Sequence, residues 1–293
     1  MFTGSLVAIV TPMRPDGSID FTAWQELLEW HAQSGTSGIV VGGTTGESPT
    51  LSDAELCQLT LSACTQARGR MSVIAGAGTS STAGTVAKVG LLAGLPIDGL
   101  LLVTPAYNRP SQEGLYQHFA AAAAAAAGKP VVLYNVPART AVDMLPATVA
   151  RLSRVPGVVA LKEAVPDPAR VRELLGVTAA GFVVLSGDDA TARESIRAGA
   201  RGVISVTANV APRQMSQMVA AALAGAHEQA RALDNALADL HRDLFLEANP
   251  IPVKWLLLQM GRIGSGVRLP LTTLAEGFRG SVMQAAQAAQ LLS

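Results

Sequence analysis

Eight short, continuously apolar runs, most of them starting roughly 25 to 35 residues apart, and helical periodicity in the gaps predict an α/β chain. The expected fold is a (β/α)8 TIM barrel with a C-terminal helical appendage. Continuous rather than alternating apolar runs suit strands buried on both faces, as in a parallel sheet covered by helices. A doubly wound open sheet is the alternative that the same runs allow.

In chain order the runs are "LVAIV" (6–10), "GIVVG" (38–42), "SVIAGA" (72–77), "GLLLV" (99–103), "VVLYN" (131–135), "VVALK" (158–162), "FVVLSG" (182–187) and "GVISV" (202–206). Between them lie stretches such as "DFTAWQELLEWHAQSG", whose apolar residues recur with the period of a helix face. The alanine run 120–127 reads as an ordinary packed helix, alanine being the best helix former. No strand signal follows residue 206; alanine- and leucine-rich helical segments run from about Pro212 to the end. The division expected is residues 1–225 as the catalytic barrel and 226–293 as a C-terminal helical region.

Composition narrows the function. Twenty-two basic residues balance 22 acidic ones, the basic residues are scattered, and aromatics make up only 4%. That argues against nucleic acid or an anionic membrane as the main partner and for a small-molecule substrate. "MFTGSLVAIVTPM" lacks a basic flank and is too short for a signal peptide or a membrane span, so the cytoplasm is the expected location. Cys57 and Cys64, the two cysteines, fall on one expected helix and are read as reduced. His31, His118, His227 and His241 show no metal-ligand spacing, so no metal site is expected.

In a barrel of this kind chemistry sits at the C-terminal ends of the strands. Those ends carry "GGTTGES" (42–48), "TPAYNRP" (104–110), "YNVPART" (134–140), Lys162, "SGDDA" (186–190) and "SVTAN" (205–209). "GGTTGES" lacks both the P-loop lysine and the dinucleotide glycine spacing. Lysine is scarce in this chain: Lys88, Lys129, Lys162 and Lys254 are the only ones among its 22 basic residues. By the period of two, Lys162 points into the barrel mouth and Glu163 the other way. Burial favours the neutral amine, a nucleophile able to form a Schiff base with a ketone. The competing reading is a lysine that pairs with Asp188 or Asp189. Tyr134 and Tyr107, two of three tyrosines, are candidate proton shuttles, with Thr44 as a relay between them. Thr45, the amides of the glycine-bearing loop and the Arg139 guanidinium suit an anionic substrate. The competing reading of Arg139 is a surface ion pair.

With those residues in view, the chain resembles the dihydrodipicolinate synthase family of pyruvate-dependent class I aldolases, which includes N-acetylneuraminate lyase. The resemblance runs through "GTTGES", "TPAYNRPSQEGLYQHF", "YNVPART", "LKEA", "LSGDDA", "GVISVTANVAPR" and "NPIPVKW", in that order. It implies condensation of pyruvate with L-aspartate 4-semialdehyde to 4-hydroxy-tetrahydrodipicolinate, toward diaminopimelate and lysine, with no cofactor beyond the covalent Schiff base. It further implies Lys162 as the Schiff-base lysine, and Tyr134, Thr44 and Tyr107 as a proton relay in which Tyr107 comes from a neighbouring subunit. By the same resemblance Thr45 contacts the pyruvate carboxylate, Arg139 holds the semialdehyde carboxylate, and Gly187 and Ile204 line the pocket. The implied assembly is a homotetramer, a dimer of tight dimers.

One departure stands out. Lysine-inhibited members carry a tyrosine, a glutamate and histidines at or near the positions of Ala106, Gly84, Asp53 and Leu56. Lacking them, this chain is expected to show little feedback by lysine. Other readings are a sugar-acid lyase of the N-acetylneuraminate type, from which "GTTGES" and Arg139 lead away, a catalytically silent small-molecule sensor, and a pyridoxal-phosphate barrel, for which no phosphate cup is visible.

Overall fold

The computed structural model describes residues 2–292; Met1 and Ser293, the outermost residues of the two expected regions, lie outside the described residues. The strands are β1 (Gly4–Ala8), β2 (Gly38–Val41), β3 (Ser72–Gly76), β4 (Gly99–Val103), β5 (Val131–Asn135), β6 (Val158–Glu163), β7 (Val183–Ser186) and β8 (Gly202–Ser205). They close in sequence order into one parallel barrel, β1 pairing with β8 through Gly4 opposite Gly202. Closure settles the choice against an open sheet. The seam needs glycine, since a Cβ on Gly202 would lie 2.0 Å from the Gly4 carbonyl oxygen.

The first run lies earlier than its apolar residues suggest, over 4–8 rather than 6–10. Val10 leaves the ladder because its amide donates to Asn209 Oδ1 at 2.9 Å, while Asn209 Nδ2 donates to the Ala8 carbonyl. A side chain from beyond β8 therefore ends β1.

Alternation along each strand sorts two layers. Leu6, Ala8, Val40, Ile74, Leu101, Val132, Ala160, Leu185 and Ile204 fill the barrel, while Val7, Ile39, Val73, Leu100, Leu133, Leu161 and Val184 face the surrounding helices. Helices follow the strands at 21–33, 53–67, 82–93, 112–124, 146–152, 168–177, 192–197 and 212–223. Several start on a side-chain cap, such as Asp20 accepting from the amides of Thr22 and Ala23, or Ser52 and Glu55 in a capping box. The alanine run is helical only to Ala124; Ala127 at φ 49° and Gly128 at φ 81° stop it. Four more helices, at 227–235, 238–243, 251–259 and 276–288, complete the chain, and no strand follows β8 among the described residues.

Three of the four histidines are bonded to threonines. His31 is fully buried against Thr36, and burial lowers its pKa to about 3. His118 and His241 bond to Thr82 and Thr207. Cys57 and Cys64 are free and half-buried, with the Cys64 thiol pushed up to about 11 by burial. Among the described residues no helix is long and apolar enough to cross a membrane, and no three His, Cys, Asp or Glu side chains are gathered as metal ligands.

Candidate active site

The registers of β5, β6 and β7 set the centre of the site. Lys162 pairs with Tyr134 on one side and Leu185 on the other. It shares the inward parity of Ala160, and only 5% of it is exposed. Its Nζ lies 4.3 Å from the centroid of the Tyr134 ring, within the range of an ammonium–aromatic contact. Asp188 and Asp189 are engaged elsewhere: Asp188 accepts from the amide and hydroxyl of Thr191, and Asp189 from the amides of Val206 and Thr207. Among the described residues Lys162 has no salt-bridge partner, so the reading of a lysine paired with either aspartate is set aside.

Glu163 points outward, as its parity requires. It accepts from Asn135 Nδ2 and the Val165 amide, with Arg170 Nε at 3.5 Å, and burial pushes its carboxyl up. That network braces the β6 end from outside the barrel.

The loop after β2 brings Thr44 and Thr45. Thr45 is buried, and its Oγ1 accepts from Asn249 Nδ2 at 2.9 Å. Thr44 is half-buried, and its carbonyl accepts from the Glu47 amide. Thr11 Oγ1 donates to the Gly46 carbonyl at 2.7 Å. Glu47, in the left-handed region at φ 58°, receives Lys254 Nζ and the Arg268 amide in a buried cluster. Burial pulls the Lys254 pKa down, and Glu47 opposes that shift. The loop is thus fastened to the C-terminal helices by an ion pair with both members buried.

The remaining candidates line the rim. Gly187 donates to the Glu163 carbonyl at 2.6 Å, and a Cβ there would sit 2.9 Å from that of Ala164. Only glycine lets the chain pass so close to the β6 end. Ile204 is fully buried inside the barrel. Arg139, exposed on the short helix Pro137–Thr140, donates from Nη2 to the Asn249 carbonyl at 3.2 Å. Among the described residues it forms no ion pair, so the competing surface-pair reading is not what the fold builds.

Tyr107 is the exception. It is 92% exposed and held at φ 74° on the loop after β4, where Asn108 donates to the Ala106 and Ser80 carbonyls. Among the described residues no hydrogen bond joins the hydroxyls of Thr44, Tyr107 and Tyr134 within one chain. Asn249, Glu47 and Lys254 were not singled out by sequence, because their partners lie over 200 positions away. The cleft of about 640 Å³ lined by Ser37, Arg68, Ser72 and Asp98 is at the opposite, N-terminal end of the barrel, away from every candidate.

A buried amine against the face of a tyrosine, at the C-terminal mouth of a parallel barrel, fits a Schiff-base enzyme of the class I aldolase type. Comparison with known proteins narrows that class. Residues 1–289 match the model of the dihydrodipicolinate synthetase family, and the chain belongs to that family. It is 50% identical over 292 residues, all of both chains, to the 4-hydroxy-tetrahydrodipicolinate synthase of Methylococcus capsulatus. The synthase of Stutzerimonas stutzeri is 52% identical over 285 residues, 97% of each chain. Among solved structures, the chloride-inhibited dihydrodipicolinate synthase of Acinetobacter baumannii in complex with pyruvate superposes with a TM-score of 0.97 at 46% identity, covering both chains fully.

Proposed function

We propose that this chain is a lyase-type enzyme of lysine and diaminopimelate biosynthesis that condenses pyruvate with L-aspartate 4-semialdehyde to 4-hydroxy-tetrahydrodipicolinate. The observation that carries the reading is Lys162, buried in the barrel mouth with its Nζ over Tyr134, in a chain about half identical end to end to synthases of that name.

The amine of Lys162 adds to C2 of pyruvate and water leaves, giving an iminium. The iminium is the electron sink, so no separate cofactor or metal is required for the carbon chemistry. Loss of a C3 proton gives the enamine; C3 then attacks the semialdehyde aldehyde carbon, forming the C–C bond, and the new alkoxide takes a proton. The substrate's own amino group displaces Lys162 from the iminium carbon, which closes the ring and frees the enzyme. Tyr134 stands beside the amine to move these protons, Thr44 links it onward, and Tyr107 supplies the last hydroxyl.

A side chain so exposed cannot serve the mouth of its own barrel, which supports a tight dimer in which Tyr107 of each subunit completes its neighbour's site. Two such dimers make the homotetramer. Thr45 holds the pyruvate carboxylate, Arg139 that of the semialdehyde, and Gly187 and Ile204 shape the pocket. Residues 1–225 act as the catalytic barrel, with 226–293 bracing it, in a cytoplasmic protein.

The test is pyruvate consumption by the purified protein with L-aspartate 4-semialdehyde, set beside N-acetylmannosamine at equal concentration. Turnover with the semialdehyde alone is expected. Preference for the sugar would keep the Schiff base and overturn the substrate assignment.

A further inference from the structure

The two carboxylate-binding residues, Thr45 and Arg139, lie on different barrel loops, yet both are bonded to one residue of the C-terminal region. Asn249 donates from Nδ2 to Thr45 Oγ1 at 2.9 Å, and its backbone carbonyl accepts from Arg139 Nη2 at 3.2 Å. Asn249 is 5% exposed and Thr45 1%, so the contact between them is buried, while Arg139 reaches the Asn249 carbonyl from an exposed position.

A threonine hydroxyl has one proton and two acceptor lone pairs. When a neighbour donates to one lone pair, the proton remains free to point elsewhere. The direction of the Asn249 amide therefore decides what Thr45 offers to a substrate. Were the amide reversed, Thr45 would give its proton to Asn249 and present only lone pairs to an anion. The reversed amide would also bury an N–H pair without a partner; as placed, Oδ1 is the unpaired atom. Buried orphan N–H groups are rarer in proteins than under-satisfied carbonyl oxygens, which favours Asn249 as donor. Thr45 cannot easily shift to make up for a lost partner, because its loop is fixed two residues on by the Glu47–Lys254 pair.

We infer that Asn249 is a positioning residue whose side-chain amide turns the Thr45 hydroxyl proton toward the pyruvate carboxylate, while its backbone carbonyl separately steadies Arg139 at the semialdehyde end. The inference rests on the roles proposed above for Thr45 and Arg139. It assigns to the C-terminal region a part in substrate binding, and it separates the two substrates: side-chain changes at 249 disturb pyruvate and leave the semialdehyde contact in place.

The experiment measures KM for both substrates in Asn249→Ala, Asn249→Asp, Thr45→Val and the double variant Thr45→Val with Asn249→Ala, with thermal melts alongside. Asn249→Ala should raise KM for pyruvate about threefold to tenfold, the worth of one neutral hydrogen bond, with the semialdehyde KM within about twofold. Asn249→Asp, an acceptor where a donor is needed, should raise it further, by about tenfold to a hundredfold. In the Thr45→Val background Asn249→Ala should add less than about twofold, since the residue acts through that hydroxyl. Should Asn249→Ala not fold, Asn249→Ser, too short to reach Thr45, reads the same loss. Near-normal pyruvate affinity in Asn249→Asp, or equal losses for both substrates, would overturn the inference. If Thr45→Val itself leaves the pyruvate KM unchanged, the role given to Thr45 is what fails.

Discussion

The β5–β6 rim and the loop after β4 place their proposed catalytic groups in opposite ways. At the rim, Lys162 and Tyr134 are neighbours because two parallel strands pair in one register, and the barrel interior into which both point buries them. On the loop, Tyr107 stands 92% exposed on a left-handed backbone, with nothing of its own chain over it. On the proposed function, the comparison teaches that half of this chemistry is built by folding and half by association. A nucleophile must be desolvated, and a strand end inside a barrel does that within one chain. A proton shuttle needs only to arrive at the right distance, and a second subunit can bring it.

The largest effect should come from the folded half. Lys162→Ala removes the amine over Tyr134 and should cut turnover by several orders of magnitude in a steady-state assay, with the fold intact by circular dichroism. Near-normal turnover would break the comparison at its root. On the assembled half, Tyr107→Phe should slow kcat by about 10²-fold to 10⁴-fold while leaving the melting temperature of the chain unchanged. A mixture of Tyr107→Phe with Lys162→Ala subunits, exchanged and reassayed, sharpens the point. Recovered activity is expected, since a mixed dimer holds one site with both groups.

Lys254→Met probes how the Thr44–Thr45 loop is held. It leaves Glu47 buried without its cation, which should destabilise the protein by about 3–5 kcal/mol in urea unfolding. A loss below about 1 kcal/mol would mean that the pair behaves as a surface salt bridge. Arg139→Ala should raise KM for the semialdehyde about tenfold to a hundredfold, the worth of a charged hydrogen bond, with pyruvate trapping retained. The smallest effect expected is that of added lysine. Asp53 is engaged by Lys88 at 3.2 Å, Leu56 is buried, and Ala106 and Gly84 offer neither ring nor carboxylate. Inhibition by sub-millimolar lysine would contradict this.

What sequence could and could not show follows the same division. The strands were legible because residues such as Val131–Val132–Leu133 are apolar on both faces, and Lys162 was legible because a charge ends such a run. Period two then assigned Lys162 and Glu163 to opposite faces, as the structure has them. The early end of β1 was not legible, since Asn209, about 200 positions later in the chain, caps it from beyond the adjoining end of β8. Nor were the supports of the second-strand loop: Asn249 to Thr45 and Lys254 to Glu47 join residues 204 and 207 positions apart. No local pattern encodes such a pairing. "NPIPVKW" drew notice only as part of a resemblance, with no role attached.

The central claim is that Lys162 is the amine that captures pyruvate. Its most direct test is borohydride reduction in the presence of pyruvate, followed by mass spectrometry of the digested protein. One reduced pyruvate adduct per chain is predicted, on the peptide carrying Lys162, and none in Lys162→Ala. An adduct on Lys88, Lys129 or Lys254 instead, or one that persists in Lys162→Ala, would contradict the account.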